Sequence, residues 1–440
     1  MGQPGLKVKN VFKEGRMRKK VIFFLILGLL LSGIPAASFA GKTVTVLGVW
    51  GGGERDAFMK TLEPFEAATG IKVEFTGTRD LPAVLTTRVA AGNPPDISVL
   101  PNPGQMQEFA RVKALVDLSK VMDIGKLRNE YAKTWIDLGS FKGVLYAIFI
   151  SADLKSLVWY SPKAFADAGY TVPQSWDELI ALSDKIVAQG ASPWSIGLES
   201  GAASGWPGTD WIEDIMLRIA PPEVYDKWVN HEISWTDPVV KRAWQLFGQI
   251  ARNEKYVYGG PETALTTNFG EAPNALFTTP PRAYMHKQAT FIKSFILKYN
   301  PDLVPGRDFS FFPFPPIEPQ YGIPALGAAD MFAMFNDTPE ARALMRYLAT
   351  AGAQEIWVAQ LGKLSANRRV NPNAYPDDLT RKAARILASA ETFRFDGSDL
   401  MPAAVGSGSF WSGVLDYVGG EELDSVLERI EEVAVEAYKG

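Results

Sequence analysis

Apolar and polar positions alternate from Thr43 to Val49, break at Gly51-Gly52-Gly53, and then take helical spacing with Phe58, Leu62 and Phe65 on one face. This predicts a strand, a glycine turn and a helix. Residues 71–75 resume the alternation after Thr69-Gly70, and residues 96–100 do so again after a helical stretch ending near Gly92-Asn93-Pro94-Pro95. Strands alternating with helices predict a parallel sheet covered on both faces. Two short apolar runs, 145–150 and 157–160, flank the polar segment 151–156, a pattern that predicts a crossing between lobes. Helical spacing then dominates over 176–189, 210–219, 238–253 and 280–298. The proline-rich stretch 309–316 reads as extended and supplies a second crossing. It leads to another strand-to-glycine junction at 324–330. Residues 421–438 form an amphipathic helix with Leu423, Leu427, Ile430 and Val433 on its buried side.

The first forty residues do not share this pattern. Arg16, Arg18, Lys19 and Lys20 precede an unbroken apolar run over 21–31, and Ser38-Phe39-Ala40 offers a small-residue cleavage site. This is the layout of a secretory leader cut after Ala40. The run falls short of the roughly 18 residues that a membrane span needs. Removing the seven basic residues and one acidic residue of positions 1–40 moves the formal charge from −4 to −10. An acidic chain without a basic stripe excludes nucleic acid as a partner. The sequence contains no cysteine, so neither disulfides nor a lipidated N-terminal cysteine is expected. The mature chain is expected free in the periplasm or outside the cell, as a monomer.

Catalytic motifs are sparse. Only His231 and His286 are histidines, there is no thiol, and no Gly-x-Ser-x-Gly elbow occurs. The glycine turn at 51–53 fails as a dinucleotide site because Asp56 stands where the third glycine should be, and Glu54 would oppose a pyrophosphate. Two readings of that turn remain open: close backbone approach to a polyhydroxyl ligand with Glu54 as acceptor, or an ordinary turn. No catalytic residue, metal ligand or cofactor is predicted. The positive signal is aromatic: 12 Trp, 14 Tyr and 25 Phe, with Trp50, Trp206 and the Phe410-Trp411 pair in glycine, proline or serine settings. Flat rings beside charged hydrogen-bonding groups suit sugars.

The segments Thr69-Gly70-Ile71-Lys72-Val73 and Arg88-Val89-Ala90-Ala91-Gly92-Asn93-Pro94-Pro95-Asp96-Ile97 resemble the signature of extracellular solute-binding proteins of sugar importers. Leu154-Lys155-Ser156-Leu157-Val158-Trp159-Tyr160, Ser175-Trp176-Asp177-Glu178-Leu179, the stretch from Gly205-Trp206-Pro207 to Asp214, and Phe277-Thr278-Thr279-Pro280-Pro281 resemble the α-glucoside-binding branch. The resemblance implies an α/β, two-lobed periplasmic-binding-protein fold of type II, each lobe a sheet flanked by helices and joined by hinge crossings. Residues 41–150 with 317–364 would form lobe one, and 151–316 with 365–440 lobe two, with a third crossing at 364–370. It implies a carbohydrate in the interlobe cleft, held by hinge closure, and docking to the membrane subunits of an ATP-binding-cassette (ABC) importer. By position, Trp50, Glu54, Arg88, Asn102, Lys155, Trp206, Asp210, Gly327, Ala328, Asp330, Phe410 and Trp411 would bind the ligand. Two of these have competing structural uses: Asp210 as a helix cap, and Arg88 as a solvated helix face. The branch pattern is broken at Arg282, near His286. Rival functions are an exported glycoside hydrolase and a compatible-solute binder with an aromatic cage.

Overall fold

The computed structural model describes residues 39, 41–361 and 363–439; the expected leader apart from Phe39, and its cleavage point at Ala40, lie outside the described residues. Among the described residues no helix is long and apolar enough to cross a membrane.

In chain order the strands begin with β1 (Thr43–Gly48), β2 (Lys72–Gly77), β3 (Ile97–Leu100), β4 (Ser140–Phe141), β5 (Val144–Leu145) and β6 (Ala147–Phe149). There follow β7 (Asp153–Leu154), β8 (Leu157–Tyr160), β9 (Ser192–Trp194) and β10 (Ala283–Lys287). The last are β11 (Ser310–Pro313), β12 (Ala325–Ala328), β13 (Met331–Met334) and β14 (Phe393–Phe395). The first lobe is built on the sheet β2-β1-β3-β13-β6 and the second on β11-β8-β10-β9. The expected parallel pairing holds for β1 with β2 and β3, whereas β13 returns antiparallel between β3 and β6.

The apolar spacing of the Gly52–Thr69 helix buries Phe58, Leu62 and Phe65 completely. Their neighbours include Trp50, Phe332 and Trp357, whose rings pack on Trp50 or Phe58 with centroids 4.5–6.0 Å apart. Each such side chain contributes roughly 1.5–3 kcal/mol of transfer free energy. In the second lobe the Trp176–Ala188 helix starts at Ser175, whose hydroxyl accepts the Glu178 N–H. Its face of Trp176, Leu179, Leu182 and Ile186 packs into the second core.

A small third sheet, β14-β12-β7, joins the lobes. Two expectations are corrected here. The stretch 280–298 is not one helix: β10 runs antiparallel to β8 and parallel to β9, and only Ile292–Tyr299 is helical. Pairing on both edges outweighs local spacing. Nor does the chain leave the first lobe for good at 365. Arg368 N–H bonds to the Glu130 carbonyl, Asn367 Nδ2 to the Ala349 carbonyl and Asn371 N–H to Glu355 Oε1, so residues 365–371 remain docked there. The last crossing runs through β14.

Candidate functional site

Where the two lobes and the joining sheet meet, the walls line a cavity of about 120 Å³. Two buried lysines organise it, each centred among carboxylates. On the first-lobe side Lys363 Nζ lies 3.1 Å from Asp330, 3.2 Å from Glu54 and 3.4 Å from Asp153. Glu54 comes from the first turn of the Gly52–Thr69 helix, Asp153 from β7 and Asp330 from the β12–β13 junction, so one ammonium ties three separate segments together. Burial acts to lower the Lys363 pKa; the carboxylates of Asp153, Asp330 and Glu54 reverse this and raise it well above its ordinary value. Trp50 donates its indole N–H to Asp330 Oδ2 at 3.0 Å, while most of its ring belongs to the core.

On the second-lobe side Lys155 Nζ lies 2.7 Å from Asp210 and bonds to Asp396. Burial acts to lower its pKa too, and Asp210 and Asp396 raise it well above the usual value. Burial lifts Asp210 to about 7 against the pull of Lys155. One oxygen each of Asp210, Glu213 and Asp396 lie within 4.8 Å of one another. Lys155 bonds to two of the three, Asp210 and Asp396, while Glu213 accepts the Gly397 and Ser398 N–H groups.

Aromatic rings complete the walls. Trp206, Phe269 and Phe291 pack with centroids 5.2–6.2 Å apart. Trp411 also lines the cavity, and its indole N–H finds no acceptor among the described residues. Trp206 opens its helix after Gly205, whose φ of +104° demands glycine and whose Cβ would sit 2.2 Å from the Trp411 carbonyl oxygen. That close approach brings Trp206 and Trp411 to the same wall.

The lobes touch in this structure. Asn102 Nδ2, just ahead of the Pro103–Arg111 helix, donates to Asp399 Oδ1 of the Gly397–Leu400 helix at 2.5 Å. The Ala403 N–H donates to Glu108 Oε1 at 3.0 Å. A Cβ on Gly104 would lie 2.1 Å from the Met401 carbonyl oxygen. Gly104→Val is therefore expected to hold the lobes apart, weakening ligand affinity at least about tenfold, roughly 1.4 kcal/mol, while leaving the unliganded melting temperature nearly unchanged. Calorimetric titration and thermal unfolding check this; unchanged affinity would refute the closure role of the contact.

Of the residues anticipated from sequence, Trp50, Glu54, Asn102, Lys155, Trp206, Ala328, Asp330 and Trp411 line the cavity. Asp210 stands one layer behind, in the interior of the Trp206–Ile219 helix, bonded to Lys155 and not capping the helix. Arg88 is away from the cavity and bonds through Nε to the Asn93 carbonyl, holding the turn after its own helix. Gly327 backs onto Phe393. Phe410 is fully buried against Trp228, Trp235 and Trp244, because the π-helical turn Ala404–Phe410 points it into the second core and leaves Trp411 at the wall. His286 is buried, bonds through Nδ1 to the Ser195 carbonyl, and is pushed down to about 4 by burial, so it is a neutral structural side chain. Arg79, Asp153, Phe269, Phe291, Lys363, Asp396, Ser398 and Asp399 line the cavity without having been anticipated. Lys363 alone had a readable signal: like Lys155, it stands beside an apolar run.

Comparison with known proteins agrees with this fold. The profile of the bacterial extracellular solute-binding protein family matches residues 51–355. The osmoprotective compounds-binding protein GgtB of Synechocystis sp. is 45% identical over 418 residues, covering 93% of this chain and 98% of that protein. The alpha-glucosides-binding periplasmic protein AglE of Rhizobium meliloti is 41% identical over 399 residues, covering 89% and 86%. A solved chitin oligosaccharide binding protein superposes with a TM-score of 0.78 at 20% identity, covering 90% of this chain and 99% of that one, which shows the fold.

Proposed function

Because the chain belongs to the bacterial extracellular solute-binding protein family, we propose that it captures a short α-glucoside in the interlobe cavity and delivers it to an ABC importer's membrane subunits. The observation that carries this reading is the pairing of two lysine-centred carboxylate groups with Trp206 and Trp411 around one cavity. Carboxylates accept sugar hydroxyls, and indole rings meet the C–H faces of a pyranose. Closure is the pivoting of the lobes about the β14-β12-β7 sheet, with the sugar contacting both.

The likeness to GgtB supports a second reading, an osmoprotective solute. Within that reading a quaternary ammonium ligand is disfavoured, because the protein's own cations already face the rings. Lys155 Nζ is 5.3 Å from the Trp206 centroid, the Arg79 guanidinium 5.2 Å from Phe269 and Lys363 Nζ 6.0 Å from Phe291. Those ring faces are already taken by the protein's own side chains and are not free to cage another cation. The relatives named above are binding proteins, and the cavity carboxylates bonded to lysines are poorly placed as a general acid. Export to the periplasm and action as a monomer complete the proposal.

Titration of the purified protein with trehalose, sucrose, maltose, maltotriose and glycine betaine tests it. Saturable binding of a disaccharide that is recovered intact is the expected result. Binding of betaine alone, or cleaved sugar, would overturn the reading.

A further inference from the structure

The second-lobe wall has more carboxylates than cations. Asp210 and Glu213 of the Trp206–Ile219 helix, Asp396, and Asp399 of the Gly397–Leu400 helix surround Lys155, and all five side chains belong to residues at most 7% exposed. The surrounding elements do not redress the balance. Lys287 is engaged by Asp214 at 3.2 Å and by the Asp210 carbonyl at 3.1 Å, and Arg218 pairs with the same Asp214. Arg394 of β14 pairs with Asp226, and Asp330 across the cavity belongs to Lys363. The Pro103–Arg111 helix adds the carboxylate of Glu108, and Tyr225 of the Pro222–Val229 helix donates its hydroxyl to the Phe395 carbonyl. Carboxylates this close and this dry cannot all stay ionised around one ammonium; a proton must be held among them.

The hydrogen bonds identify the holder. Asp396 bonds to Lys155 through one oxygen and accepts Ser398 Oγ–H and the Asp399 N–H on the other. Glu213 accepts a backbone N–H on each oxygen, from Gly397 at 3.0 Å and Ser398 at 2.9 Å. Asp210 Oδ1 receives Lys155 and its Oδ2 is buried without a partner among the described residues, but Asp210 lies behind the cavity wall and is bonded to a cation. Asp399 receives a single side-chain donor, Asn102 Nδ2, and that donor belongs to the opposite lobe. Asp396 also reaches the cavity but is tied to Lys155, so Asp399 is the one of the four that faces the cavity with no cation bonded to it, its donor coming from the opposite lobe.

We propose that Asp399 enters the closed cleft as a neutral carboxylic acid, so that closure takes up a proton and the acid offers its hydroxyl to a ligand oxygen. Its role toward the ligand rests on the binding reading above; the proton uptake belongs to the lobes themselves. Burial, and then the charge of Asp396, push the Asp399 carboxyl well above the usual range. A group whose pKa is higher in the closed form favours closure most below its open-form value. The advantage is lost, by up to about tenfold per pH unit, as pH rises toward the closed-form value.

The chain has no cysteine, so Val112→Cys and Val435→Cys, at exposed positions away from the cavity, can carry a fluorophore pair that reports the lobe separation in the full-length protein without sugar. Between pH 5 and 8 the closed fraction is expected to fall as pH rises. The slope is expected to vanish in Asp399→Asn, whose amide is neutral throughout, and to persist in Asp210→Asn. A pH-independent separation in the parent overturns the proposal by itself, as does a slope that survives Asp399→Asn or disappears only with Asp210→Asn. Lobes that follow pH in a protein binding no glucoside would defeat the functional reading alone; glucoside binding with pH-independent lobes would defeat this one alone.

Discussion

Lys363→Met is expected to abolish measurable sugar binding and to lower unfolding stability by roughly 3–5 kcal/mol, the usual cost of stranding buried charges by removing their partner. Methionine fills nearly the same volume, so packing is kept and only the charge goes. Glu54, Asp153 and Asp330 would then face one another with no ammonium between them, and Trp50 would lose the fixed acceptor it donates to. Burial already holds the Asp153 carboxyl above its ordinary range against the pull of Lys363. In the variant that shift grows, and the lost stability is partly regained in acid as the carboxylates take up protons. Urea unfolding at pH 7 and pH 5 measures both effects. A variant within 1 kcal/mol of the parent at pH 7 would mean the lysine is dispensable.

Arg218→Met is expected to have a comparable effect on stability, roughly 3–5 kcal/mol, through a different route. Arg218 is completely buried, pairs with Asp214, and donates to the carbonyls of Phe314, Pro315 and Pro324. Those carbonyls lie on the extended segment that returns from the second sheet toward the first, so the guanidinium fixes its path. Removing it leaves three carbonyls without that donor and leaves Asp214 with Lys287 at 3.2 Å and the Ser156 hydroxyl at 2.7 Å. The affinity of whatever protein remains folded should change much less than in Lys363→Met, because Arg218 does not reach the cavity. Parallel calorimetric unfolding and sugar titration separate the two: equal loss of affinity in both variants would contradict the placement of Arg218 as purely structural.

What could be read from the sequence depended on whether a residue's surroundings were local. Lys155 stood out because it interrupts two apolar runs, and Trp206 because glycine and proline flank it. Lys363 sits in the same kind of setting but just past an apolar helix, where a basic residue is normal. Asp153, Asp396 and Asp399 gain their roles only when segments up to 297 positions apart converge, as the Asn102–Asp399 bond shows. No spacing rule reports such a meeting. Phe410 and Trp411 are adjacent, and only the extra residue of a π-helical turn decides which one enters the core. Arg88 and Arg79 are both arginines within or just ahead of the same helix, yet only Arg79 reaches Glu54, at 3.7 Å. The misreading of residues 280–298 has the same origin, since β10 is a strand by virtue of its two neighbours.

The contact of Gly104 with Met401, together with the Asn102–Asp399 and Ala403–Glu108 bonds, has a kinetic meaning. A ligand enclosed behind these contacts leaves only when they part, so its dissociation can be no faster than the opening of the lobes. Sugars that contact one wall strongly and the other weakly should then share a common upper limit on escape, set by the protein and not by the sugar. The same lobe contacts would act as a clock: they fix how long a captured molecule stays available to a transporter before it returns to solution.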